Sequence, residues 1–195
     1  MIFDLSRLTI ARREQVERAI RSISFDFERL RPGMRAQGIR AIVVAFGDLD
    51  DAGARAAHRL RRKVEGEQAS TLGLWYTDGR IALSNDLNDL GVRVVFALEA
   101  AHAVDQLLLD DEARQEIAQT YVEDVGPSAR APAWWDEAYE DQIGEAFMFA
   151  FVQAYTTHSV RDVEFRVTTP RVIAAVRRVL SPGYAVTKAL REARR

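Results

Sequence analysis

VRVVFALEAAHAVDQLLL, residues 92–109, is a helix-length apolar run whose middle carries only a thin polar stripe of Glu99, His102, Asp105 and Gln106. A helix that is hydrophobic on nearly every side is normally buried. A carboxylate and an imidazole inside it need partners, because an unpaired buried charge is costly or neutralises itself. At about 100° per residue, Glu99 and His102 share one face, with Leu98 one turn from His102.

Immediately upstream, Leu72 to Thr77 and Arg80 to Ser84 read as two short strands around Asp78-Gly79, the strongest short-range hairpin signal. The polar stretch 85–91 leads from that hairpin into the helix. Further back, Ile39 to Phe46 (IRAIVVAF) is β-branched and continuous, as expected of a buried strand. Asp50-Asp51 start a helix with Ala52, Ala56, Leu60 and Val64 on one side and Arg59, Arg61, Arg62 and Lys63 mostly on the other. Residues 9–31 read as an amphipathic helix capped by Thr9, with Val16, Ile20, Ile23, Phe27 and Leu30 on its apolar face and Arg31-Pro32-Gly33 at its end.

Downstream, residues 110–135 are acidic and irregular, with a short helix near 111–121, and close on Pro127, Pro132 and the pair Trp134-Trp135. A helix over 136–156 follows, its first turns holding Asp136, Glu137, Glu140 and Asp141 at the positive end of the helix dipole. Val163 to Val167 reads as a late strand. Thr169-Pro170 is a cap-plus-first-turn start for a helix through Leu180, and a terminal helix runs from about 185. The order is that of an α+β domain.

The chain has 195 residues, enough for one domain with a real core. Hydrophobic and charged fractions of 48% and 29% fit a soluble globular protein. A net charge of -2 gives no general attraction to nucleic acid or to an anionic membrane. No groove-reading motif accompanies the basic run at 59–63, which reads as a solvated helix face, so nucleic-acid binding is not expected. The absence of cysteine removes disulfides, thiolate metal sites and thiol nucleophiles. The N-terminal stretch MIFDLSRLTIARREQVE becomes charged at once and lacks the apolar core of a secretory signal. No run is long and apolar enough to span a bilayer. The expected location is cytoplasmic, or within a phage particle. Of 27 basic residues only Lys63 and Lys188 are lysine, a bias that points to a GC-rich bacterial or bacteriophage genome.

Glu99 and His102 stand where H-E-x-x-H, followed by x-x-D, places its glutamate and second histidine, with Leu98 at the first histidine. In that motif two histidines one turn apart hold zinc, the glutamate acts as general base on a metal-bound water, and a third ligand arrives from elsewhere. Glu145, in IGEAFMFAFVQAY, is the candidate third ligand: it is the one charged residue between Ile143 and Tyr155. The same side chains also fit a hydrogen-bonded core pair in an unrelated α+β domain.

LEAAHAVD together with GEAFMFAF resembles the gluzincin branch of the zincin-like metallopeptidases, in particular the subset similar to the anthrax lethal factor protease domain. The similarity spans about residues 38–156, and its diagnostic part is those two stretches. The resemblance implies a single zincin-like domain over 1–195, with an N-terminal helix at 9–31, the core at 38–156 and C-terminal helices at 169–195. It implies a small mixed sheet whose edge hairpin, where zincins receive substrate, packs on a buried active-site-type helix, with a second helix bearing the glutamate. By the same resemblance Glu99 matches the general base, His102 a histidine ligand, Glu145 the glutamate ligand and Tyr139 the transition-state tyrosine.

Leu98 departs from this pattern, because a hydrocarbon cannot bind metal. The chain is therefore expected to be a catalytically inactive descendant that needs no cofactor and serves as a structural or protein-binding component, with a bacterial or phage assembly as one setting. Trp134 and Trp135 are candidate contact residues, since tryptophan is favoured at hot spots; both rings equally fit a role in capping the core. The alternative is an active zinc peptidase using His102, Glu145 and another donor, for which His58 and His158 are candidates, with Glu99 as base.

Overall fold

In the computed structural model the structure is described for residues 2–49, 72–125, 140–157 and 169–184. The expected helix from Asp50, the strand at 163–167 and the terminal helix from 185 lie outside these residues. The chain divides into two compact units, Met1–Leu109 with Tyr155–Val160, and Asp110–Ala154 with Arg161–Arg195.

The first unit is built on a four-stranded mixed sheet. Its strands are β1 (Phe3–Asp4), β2 (Ile42–Gly47), β3 (Gly73–Tyr76) and β4 (Arg80–Ser84), in the spatial order β1-β2-β4-β3. The first three neighbours run parallel, and β3 closes the order antiparallel to β4. The expected hairpin thus forms one edge of this sheet. Asp78-Gly79 makes its turn, with Gly79 at φ 91, a conformation that favours glycine.

The register pairs Gly73 with Leu83, Trp75 with Ile81 and Ile81 with Val44. Paired residues point to the same side of a sheet, so these five share one face. Ile42, Val44, Ile81 and Leu83 are fully buried, whereas Ala45, on the other face of β2, is exposed. Strand β2 is therefore buried on one face rather than both. The run IVVAF conceals this because its outward positions are also apolar.

Helix α1 spans Ile10–Ser22, and the Thr9 side chain accepts from the Arg12 N–H. The single helix expected over 9–31 is corrected here. The chain turns extended at Ile23, forms a 3-10 turn at Phe27–Leu30 capped by Asp26, and then starts α2 at Arg31–Ala36. Pro32 opens α2 instead of ending a helix, because proline at the first turn loses no intrahelical hydrogen bond. The break lets Phe25 and Phe27 both turn inward, where Phe27 meets Phe3 and Phe3 meets Phe96 edge to face at ring separations of 5.1 and 5.4 Å.

Helix α3, Asp89–Leu108, contains nearly all of the apolar run of residues 92–109. It begins three residues earlier than its apolar pattern, because the Asn88 side chain caps it by accepting from the Gly91 N–H at 2.8 Å. It packs on α1, α2, β3 and β4.

The second unit holds α4 (Asp111–Val125), most of α5 (Glu140–Tyr155) and α6 (Pro170–Val179). Helix α4 is longer than the short helix expected near 111–121. Asp110 starts it by accepting from the Ala113 N–H at 2.8 Å. Helix α6 begins as its sequence indicates, with the Thr169 hydroxyl accepting from the Val172 N–H. Helices α4 and α6 pack together. Arg178 bridges to Glu116 at 2.7 Å, and Arg171 bridges to Glu123 and Asp124.

Candidate functional site

Helix α3 is a central element of the first unit because half of its length is hydrocarbon with no solvent to face. Val92, Val95, Phe96, Ala97, Ala100, Ala101, Ala103, Val104 and Leu107 are all buried on it. The four polar positions in its middle and last turns meet different fates. Glu99 is buried, at 8% exposure, while His102, Asp105 and Gln106 are each half-buried.

Glu99 lies beneath the edge strand. A Cβ added to Gly73 would stand 2.7 Å from Glu99 Oε1, 2.9 Å from Glu99 Cγ and 2.4 Å from Val95 Cγ1. The glycine is thus what lets β3 cross this close to the carboxylate, since strand glycines permit close backbone approach. One turn before His102, Leu98 is half-buried and offers no donor atom.

Gln106 ties the same helix to the other end of β3. Its Oε1 accepts from Trp75 Nε1 at 2.7 Å, and its Nε2 donates to Thr77 O at 3.2 Å and to Gln37 Oε1 at 2.6 Å. The Gln37 amide returns a bond to the Gln106 carbonyl at 3.4 Å. Side-chain amide and indole groups this well paired register one element against another. In the sequence Gln106 stands in the polar stripe with nothing to mark its role. Its partners lie 31 and 69 residues away, and no local pattern announces them.

Arg12 binds the ends of β2 and β4 from α1. Its guanidinium donates to Asn85 O at 2.6 Å and Leu87 O at 3.1 Å and lies 4.3 Å from the centre of the Phe46 ring. At the start of α3, Asp89 accepts from Arg18 Nη2 at 2.9 Å. That bond, helped by Gln15, holds the Asp89 carboxyl below the usual carboxylate range and raises the Arg18 guanidinium. A carboxylate in a first helical turn also complements the dipole.

Glu99 and His102 therefore share α3, as their spacing requires, with the edge strand directly over Glu99. Glu145 lies on α5, and its side chain is outside the described residues, as are Tyr139, Trp134, Trp135, His58 and His158. Among the described residues no group of three or more histidine, aspartate or glutamate side chains is placed to hold a metal ion. A catalytic zinc takes three protein ligands and an open position, and the middle of α3 offers Glu99 and His102 with the hydrocarbon of Leu98, not a further donor, one turn before His102. Among the described residues no helix is long and apolar enough to cross a membrane. Comparison of the chain with protein-family models, with curated proteins and with solved structures finds no match.

Proposed function

We propose that this chain is a zincin-like domain that has lost metallopeptidase chemistry and acts as a structural or protein-binding component of a bacterial or bacteriophage assembly. One observation carries the reading: a buried glutamate lies directly under a glycine of the antiparallel edge strand, while its neighbour on the helix, Leu98, puts hydrocarbon at the position that the zinc motif gives to its first histidine. The placement of the hairpin at the sheet edge, against α3, supports the same lineage. What such a site retains is packing. Glu99 and Gly73 fit one another, and Gln106 fixes the strand to the helix, whether or not a reaction follows.

Metal analysis of the purified protein, after zinc addition and removal of the excess, tests the loss of chemistry. The expected result is no stoichiometric zinc and no peptide hydrolysis. Stoichiometric zinc, with hydrolysis abolished by Glu99→Gln, would overturn the proposal and establish a peptidase with Glu99 as base.

A further inference from the structure

We draw no further inference here: the strongest candidate, the outer edge of β3 over Glu99, carries nothing beyond the function already proposed, because nothing in the structure shows what covers it.

Discussion

Gly73 has no side chain where Val95 and Glu99 already fill the space one would need. Gly73→Ala should therefore lower stability by about 1–3 kcal/mol, the usual cost of forcing extra volume into a packed site. Urea unfolding checks this, and adding Val95→Ala should recover part of the loss, because contacting residues couple in a double-mutant cycle. Equal losses with and without Val95→Ala would mean that the two do not meet. Gln106 makes a second residue-scale prediction. Gln106→Leu removes the acceptor of the buried Trp75 indole and the donor to Thr77 O, and an unsatisfied buried group costs about 1–3 kcal/mol. The urea midpoint should fall accordingly. Glu99 and His102 were legible in the sequence because charge within an apolar helix stands out. The fit of Glu99 to Gly73 was not, because it depends on which strand crosses the helix and at which residue.

Elements whose signals are local are legible in the sequence. Asp78-Gly79 specified its hairpin, Thr169-Pro170 specified the start of α6, and the apolar run specified α3. The segment after α1 is not legible in this way, because Ile23, Phe27 and Leu30 continue a helical spacing while the backbone does not. Their burial satisfies the same core by a different route, through an extended residue and a 3-10 turn. Periodicity records which side chains face inward, not how the chain brings them there. The contact of α2 with α3 gives an element-scale prediction. A Cβ on Gly33 would stand 1.9 Å from the Leu107 carbonyl oxygen, which is backbone and cannot rotate aside. Gly33→Ala must move one helix off the other, with an expected loss at or above the roughly 1–3 kcal/mol of ordinary overpacking. The loss should exceed that of Gly73→Ala, whose obstacles are side-chain atoms; thermal unfolding of the two variants side by side gives the order.

At the scale of the whole chain, stability should carry an alkaline signature from the second unit. The Tyr184 hydroxyl donates to Glu116 at 3.0 Å, and burial, with the Glu116 carboxylate next, pushes its pKa up to about 12 from an ordinary 10.0. A tyrosine raised in the folded state favours folding fully below the ordinary value, and its contribution disappears as pH rises through the folded value. Stability should thus decline between about pH 10 and 12. Tyr184→Phe should flatten that decline, as measured by denaturant unfolding across the window. An unchanged slope would remove Tyr184 as its source.

The α+β class and the edge hairpin followed from sequence, since both rest on local patterns that the sheet then assembled. The proposed zincin-like lineage rests on residues of α3, and one substitution there addresses it most directly. Leu98→His introduces a donor one turn from His102, and zinc binding by this variant can be measured by calorimetry, with folding verified by circular dichroism. On the zincin-like reading, Leu98→His binds stoichiometric zinc and loses it when His102→Ala is added. A well-folded Leu98→His protein that binds no zinc would contradict it.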